Sequence, residues 1–452
     1  MIQQTPNNDN LRGGRIILAL GLFSAAIYAY LALRGALREA LPELWLSVGL
    51  LAVWMILAVR LVKRESRLLR WALLAAVLFR LIVVVSAPTL SDDIYRYVWD
   101  GRVQLHGVHP FEFPPDAPEL TELRDDNWER INHREVPTIY PPFAQLLFAA
   151  LSGMGAGVYG FKAAMAIADM LVVVLLVGLL RRRGLGEHRA LWYAWNPLAV
   201  LESASSGHLE AVGVLWLILA VTALHGKRLA LSGAALATAI QTKLVPLIAL
   251  PALLRRFRIP GAIGLLLTLA LLTLPYAMRG PAFAAGTSDY AERWERNASV
   301  YRVVESTLEA ADTGERLKPL IAAGQRSFGD LGGLWNKLYH WVWPRELARL
   351  FVMALAALWL LWLLRSKERS LEATLLLSLG GVLLLVPTLH PWYLLWLLPW
   401  AAFRASPFWL ALSVTIFLSY VNPGGDVPLL WRLIEYGLPV IVFFVARAKL
   451  RP

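Results

Sequence analysis

Two adjacent carboxylates, Asp92 and Asp93, open the most polar stretch of this chain, which runs from Ser91 to Pro142. An ionised carboxylate can serve as a general base or bind a cation, and two neighbouring carboxylates in a partly desolvated place perturb each other's protonation. The same residues also suit a helix N-terminus, because Ser91-Asp92-Asp93 precedes a helical pattern. The two interpretations are compatible if one residue caps the helix and the other reacts.

Aromatic side chains follow the two acids. Tyr95 and Trp99 recur at helical spacing, and Tyr140 precedes two prolines at the end of the stretch. Aromatic residues at a membrane surface usually anchor a protein at the interface, but their faces also pack against sugar rings. Tyr140-Pro141-Pro142 equally suits a rigid turn that starts a helix. Tyr95 and Tyr140 are therefore candidate sugar contacts, with anchoring and turn formation as the alternatives.

Other ionisable residues stand at the ends of later apolar runs. His208 and Glu210 could hydrogen-bond a hydroxyl or a phosphate, or could simply occupy a polar corner. Lys243, between two apolar pieces, is either a snorkelling lysine or an anion ligand. The full set of later candidates is Glu202, His208, Glu210, Lys243, Arg293, Arg296 and His390. The histidines of the first polar stretch are too irregularly spaced for a zinc motif, and the chain has no cysteine.

The elements that carry these residues are apolar. The chain of 452 residues is 58% hydrophobic and 17% charged, which is too apolar for a soluble protein of this size. Apolar runs of about 17–25 residues recur throughout, the length that crosses a hydrocarbon core. We therefore predict an all-α, polytopic membrane protein with roughly 14 crossings.

The net charge of +12 is distributed as topology signals. Most Lys and Arg residues cluster in short segments between apolar runs, as in cytoplasmic loops, so we expect no nucleic-acid partner. This arrangement places the polar stretches 91–142 and 279–345 outside, within a single membrane domain of residues 1–452. It also places sharp corners at 203–210 and 241–243. All the candidate residues then lie on one face, and Asp93, Lys243 and His390 should line one cavity.

Familiar nucleotide-binding and hydrolase motifs are missing from the sequence. We find no GxxxxGK[ST] loop, no Rossmann glycine pattern and no GxSxG elbow. An enzyme of this kind would not use a soluble nucleotide in a familiar pocket.

The combination resembles the glycosyltransferase C superfamily, and within it the bacterial polyprenol-phosphate-mannose mannosyltransferases of family 87. The matching segments occur in order along the chain: Asp93-Ile-Tyr95-Arg-Tyr97, Gly107-Val-His109-Pro110-Phe111, Tyr140-Pro141-Pro142, Trp195-Asn196-Pro197 with Glu202, His208-Leu-Glu210, Thr242-Lys243, Asn297-Ala-Ser-Val-Tyr301 and His390-Pro391-Trp392-Tyr393.

The resemblance implies a helical bundle whose long first external loop carries juxtamembrane helices. It implies an inverting displacement in which a first-loop aspartate deprotonates the acceptor hydroxyl. Asp93 matches that aspartate better than Asp92, because it stands two residues before Tyr95. Lys243, Arg293 and Arg296 are then expected at the lipid phosphate, and His208, Glu210 and His390 at the sugar or acceptor groove.

The expected partners are a polyprenyl-phosphate-linked sugar, a glycan, glycolipid or lipid acceptor, and membrane lipids. The expected location is the inner membrane, with the active site facing the periplasm or exterior. Relatives differ in metal use, so Mg²⁺ or Mn²⁺ stays open as a cofactor and no ligand is assigned to it. A transporter or flippase of a lipid-linked sugar is the main alternative, although it would usually show inverted repeats and charges at mid-membrane. A non-catalytic assembly factor is the third.

Overall fold

Helices account for the architecture of the computed structural model, which describes residues 8–278, 286, 295–366, 368–422 and 425–449. The predicted all-α fold is confirmed. In chain order the longer helices are α1 (Asn8–Arg34), α2 (Leu41–Arg64), α3 (Leu69–Val84), α4 (Asp93–Leu105), α5 (Pro142–Gly153), α6 (Val158–Arg182), α7 (Glu210–His225), α8 (Leu229–Thr242), α9 (Ile259–Ala277), α10 (Val300–Ala310), α11 (Thr313–Phe328), α12 (Leu334–Trp341), α13 (Pro344–Arg365), α14 (Leu371–Leu383), α15 (Leu398–Arg404), α16 (Pro407–Thr415) and α17 (Leu429–Ala448).

Shorter helical segments link them. These are Leu37–Glu39, Ser66–Leu68, Pro118–Leu123, Trp128–Arg130, Glu187–Ala190, Leu191–Ala194, Pro197–Ala199, Val200–Ser205, Val245–Ala249, Leu250–Leu254, Pro391–Trp396 and Ile416–Val421. Residues Val200–Ser205 form a π-helix, a rare conformation that often occurs at functional sites.

Within the described residues, six helices are long and apolar enough to cross a membrane: α1, α2, α6, α9, α13 and α17. A seventh span is possible if Pro197–Ser205 and α7 form one crossing bent by 119°. Five further apolar helices are only 10–17 residues long. The chain is therefore a membrane protein, but several of the predicted full spans are short or broken helices.

The first polar stretch is folded onto the bundle. Helix α4 packs against α5, and a Cβ on Gly101 would lie 2.4 Å from the Phe148 carbonyl oxygen, so only glycine permits this approach. Tyr97 stacks on Phe148 of α5 at 4.9 Å, and Ile94 and Trp99 on α4 are buried as well. The expectation of juxtamembrane helices in this loop is confirmed.

Basic loops meet at the other end of the bundle. The buried carboxylate of Glu372, at the start of α14, lies 3.3 Å from Arg183 and 3.0 Å from His225. Arg183 and His225 belong to two basic segments, 181–189 and 225–228, that the charge pattern assigned to one side. Their contact with one carboxylate supports that grouping independently of the charge rule.

Candidate active site

A cavity of about 520 Å³ opens at the end of the bundle opposite these basic loops. Asp93, Lys243 and His390 line it together, which is the geometric condition set by the sequence. Asp92, Tyr140 and Arg296 line it as well. The described residues thus bring six of the predicted site residues to one pocket.

The two adjacent acids have different surroundings. Arg38, in the short connection between α1 and α2, donates to Asp92 Oδ2 at 2.9 Å and to the Leu90 carbonyl oxygen. Asp93 begins α4, and its backbone N–H reaches Ser91 Oγ at 3.3 Å. Asp92 holds the N-cap position of α4, but its side chain makes no capping hydrogen bond and is neutralised by Arg38. Asp93 also lines the cavity, but no arginine among the described residues pairs with its carboxylate.

A buried network fixes the helix behind Asp93. Arg96 Nε donates to Asp100 Oδ1 at 2.8 Å, and Arg96 also donates to the Val136 carbonyl oxygen. Thr138 and Gln145 donate to Asp100 Oδ2 at 2.5 and 3.0 Å. Because Val136 lies in the cavity wall, these bonds tie that wall to α4 and fix their relative position.

The corner between the π-helix and α7 places His208 behind Asp93. Gly207 has φ of +75°, and a Cβ there would lie 2.5 Å from Ile94 Cδ1, so glycine is required on both counts. This close approach sets His208 Nε2 4.0 Å from Asp93 Oδ2. On the far side of the ring, Nδ1 lies 3.1 Å from Glu202 Oε2.

Lys243 immediately follows α8 and forms an ion pair with the buried carboxylate of Glu210. Its ammonium also lies 4.8 Å from the centroid of the Tyr393 ring. Since the ammonium lines the cavity while Glu210 lies behind it, the pair presents a cation to the pocket. Glu210 is therefore positioned as support for Lys243.

Arg296 enters the cavity from the second polar stretch. Its backbone N–H donates to the Pro387 carbonyl, and its own carbonyl accepts from Leu389 N–H at 2.8 Å. The guanidinium donates to the Ser419 carbonyl oxygen at 3.2 Å. Arg293, predicted as its companion, lies outside the described residues.

His390 stacks on an indole that also contacts His208. Its ring lies 4.4 Å from that of Trp392, and the ring of His208 lies 4.1 Å from the same indole. Enclosure in the pocket wall, with the charges of Arg296 and Lys243, holds the pKa of His390 well below its usual range. The imidazole is therefore neutral and can accept or donate a hydrogen bond.

Four predicted residues are absent from the residues that line the cavity: Tyr95, Glu202, His208 and Glu210. Tyr95 is buried beside Arg130, which donates to its hydroxyl at 3.0 Å. Glu202 accepts from the Tyr420 hydroxyl at 2.8 Å. Glu202, His208 and Glu210 lie behind the pocket wall, because each contacts a residue that lines it: Tyr420, Asp93 and Lys243.

Arg38 and Tyr420 are among the cavity residues that sequence reasoning missed. Arg38 carries a usable signal, because it is a basic residue in a short loop that the topology places outside, against the charge rule. Tyr420 sits at the end of an apolar run with nothing in its spacing to distinguish it.

Metal ligands do not cluster in the part of the chain that the structure describes, where no group of three or more His, Asp or Glu side chains could hold an ion. Asp92 is engaged by Arg38, and the cavity already contains the cations of Lys243 and Arg296. These residues do not fit a divalent-cation site, and no step is derived through one.

Comparisons with known proteins agree with this geometry. A family model described as "Alpha-(1->6)-mannopyranosyltransferase, N-terminal domain" matches residues 35–257. A second, described as "MptB C-terminal domain", matches residues 330–448. A curated relative from Mycolicibacterium smegmatis (strain ATCC 700084 / mc(2)155), named "Probable alpha-(1->6)-mannopyranosyltransferase", is 25% identical over 401 residues, covering 78% of this chain and 69% of the relative. No solved structure matches.

The fold and the matches define a membrane glycosyltransferase, which is the enzyme alternative from the sequence and not the transporter. The chain belongs to the alpha-(1->6)-mannopyranosyltransferase family, of glycosyltransferase C type, and it is a mannosyltransferase.

Proposed function

We propose that the protein transfers mannose from a polyprenyl-phosphate carrier to the 6-hydroxyl of a mannose unit in a glycan or glycolipid, with Asp93 as general base. The observation that carries this proposal is the composition of one cavity. A carboxylate on one wall faces a pocket whose other walls carry Lys243 and Arg296. Such a pocket can hold a hydroxyl beside the acid and an anionic leaving group beside the cations.

The reaction is a single displacement. Asp93 takes the proton of the acceptor hydroxyl as its oxygen forms a bond to the anomeric carbon of mannose. The bond from that carbon to the phosphate oxygen breaks, and polyprenyl phosphate leaves with the electron pair. Lys243 and Arg296 stabilise the negative charge that develops on the phosphate. Neutral His390 is available for a hydrogen bond to the phosphate or the sugar.

A single displacement inverts the anomeric carbon. The printed family description specifies an α-(1→6) product, so an inverting enzyme needs a donor in which mannose is β-linked to phosphate. A double displacement would need a second carboxylate in the cavity as nucleophile, and Asp92 is held by Arg38. Glu295, which also lines the cavity, is held by Arg345 and Arg349. The pairing of Asp92 thus supports inversion.

The donor also determines the location. A polyprenyl carrier is confined to the bilayer, and the cavity lies at the end of the bundle opposite the basic loops that the positive-inside rule assigns to the cytoplasm. We therefore place the protein in the inner membrane with the cavity open to the periplasm or exterior.

The test is donor choice by purified protein in lipid nanodiscs. Radiolabelled mannose is offered as a β-linked polyprenyl phosphate, as the α-linked anomer and as a nucleotide sugar, with an oligomannoside acceptor. The proposal predicts transfer from the β-linked lipid donor alone, giving an α-(1→6) product. Transfer from the nucleotide sugar, or from the α-linked lipid with retention, would refute it.

A further inference from the structure

One imidazole nitrogen behind Asp93 has no hydrogen-bond partner. His208 is fully buried, and its Nε2 is unpaired among the described residues. That atom lies 4.0 Å from Asp93 Oδ2. Buried polar atoms are nearly always paired in folded proteins, and exceptions are often catalytic. An unpaired nitrogen beside the proposed base therefore has a functional interpretation.

The other nitrogen of this ring is fully engaged. His208 Nδ1 lies 3.2 Å from the backbone carbonyl oxygen of Glu202 and 3.1 Å from its carboxylate. Both atoms are acceptors, so Nδ1 carries a hydrogen. Glu202 is oriented in turn by the Tyr420 hydroxyl, at 2.8 Å. A carboxylate held in this way fixes the ring and favours its protonated form.

The ring face supports the same charge state. The imidazole of His208 stacks on the indole of Trp392 at 4.1 Å with an interplanar angle of 19°. An aromatic face attracts a cation, and Trp does so most strongly. The surroundings of His208 thus suit an imidazolium whose second N–H points to Asp93.

We propose that His208, held by Glu202, is a positioning residue for Asp93, orienting its carboxylate and placing a positive charge beside it. The inference depends on the assignment of Asp93 as base. It assigns His208 and Glu202, which the sequence offered as substrate contacts, to the positioning of the base. The separation of 4.0 Å is a charge contact that can tighten when substrate enters.

Other charged groups near the pair are already compensated. Asp92 is neutralised by Arg38, and Glu210 by Lys243. Other titratable groups near Asp93 and His208 include Arg96, which is paired with Asp100, and Lys162, which packs against Gly207 and donates to the Val83 carbonyl oxygen. Tyr97, Tyr140 and His390 lie near the pair as well. Replacing His208 therefore removes the positive charge that lies beside Asp93.

The test is the pH dependence of mannose transfer, measured with whichever donor the wild type uses. His208→Phe keeps a ring against Trp392 but removes the charge. The pH below which kcat falls should move upward by about one unit, since an opposite charge favours the ionised carboxylate. Glu202→Gln, which keeps its hydrogen bond with Tyr420, should shift the same limb by less and serves as the second variant if His208→Phe does not fold.

Ser203→Ala is the matched control, because Ser203 lies on the same π-helix but donates to Asp169 at 3.3 Å, away from the base. Its pH profile should match that of the wild type. A uniform loss of kcat at every pH in Glu202→Gln and His208→Phe would mean a purely structural role and would overturn the inference. A fully active Asp93→Asn would instead remove the base assignment, so the two failures are distinguishable.

Discussion

Two polar clusters share the π-helix Val200–Ser205, and they differ in whether they reach the cavity. The scaffold cluster comprises Arg80, Asp169, Tyr193 and Ser203. The cavity cluster comprises Asp93, His208, Glu202 and Tyr420. Ser203 faces the first and Glu202 the second.

The scaffold cluster is closed. Arg80 Nε reaches Asp169 Oδ2 at 2.7 Å, and the Tyr193 hydroxyl donates to Oδ1 at 2.6 Å. Its residues are buried, and both oxygens of the acid are occupied. The cavity cluster is open, because its carboxylate Asp93 lines the pocket. Burial of charge alone therefore does not identify the site; a charged cluster that reaches the cavity does.

The largest effect on stability should come from breaking the closed cluster. Arg80→Met leaves the Asp169 carboxylate buried without its cation, which costs about 3–5 kcal/mol of unfolding free energy. Thermal unfolding in detergent would detect this, while transfer per mole of folded protein stays within a few-fold of wild type. The double variant Arg80→Met/Asp169→Leu should recover part of the stability. An Arg80→Met protein as stable as wild type would contradict the distinction between the clusters.

Lys243 tests the cationic wall. Lys243→Met removes a charged donor to the leaving phosphate, and we expect kcat/KM to fall about 10–100-fold, corresponding to ~1.5–3 kcal/mol for a charged hydrogen bond. Because the substitution also leaves Glu210 unpaired, Lys243→Met/Glu210→Gln is the matched comparison. The double variant should regain stability but not rate. Recovery of the rate would show that Lys243 acts only through Glu210.

Asp100 tests the network that joins α4 to the cavity wall. Asp100→Asn removes the charge opposite Arg96 and places an amide donor among donors, so we expect a loss of about 1–3 kcal/mol in stability. Asp125→Asn is the control, because its pair with Arg102 is partly exposed and such pairs contribute little. Equal effects of the two substitutions on the melting temperature would argue against the network.

The smallest effect should come from Asp92. Its pair with Arg38 is about one-third exposed on both sides, and such pairs contribute about 0–1 kcal/mol. We expect Asp92→Asn to keep transfer rates within a few-fold of wild type, as measured by initial rates. A larger loss would assign Asp92 a role that its ion pair with Arg38 does not predict.

Helix content and the convergence of Asp93, Lys243 and His390 were predictable, because apolar run lengths and basic clusters fix which ends of the helices share a face. The number of membrane crossings was less predictable, since the described residues contain six helices long enough to span, or seven with the bent pair, against the roughly 14 expected. The sequence predicts a sharp corner at 203–210, and the chain bends there by 119° between Pro197–Ser205 and α7. The π-helix Val200–Ser205 was not predicted, because hydropathy does not distinguish a π-helix from an α-helix.

Which side of the pocket wall a residue occupies was also hidden. Glu202, His208 and Glu210 lie near the cavity, as the sequence predicts, but behind its wall. This could not be predicted, because their partners Tyr420, Asp93 and Lys243 are distant in sequence. The choice between Asp92 and Asp93 depends on Arg38, more than 50 positions away. Pairings across such separations have no local sequence pattern.

The measurement that tests the central claim most directly is the initial rate of mannose transfer by Asp93→Asn, with thermal unfolding recorded on the same preparation. The proposal predicts that kcat falls about 10²–10⁴-fold, as for loss of a general base, with a melting temperature close to that of wild type. A folded Asp93→Asn enzyme that transfers mannose within a few-fold of the wild-type rate would contradict it.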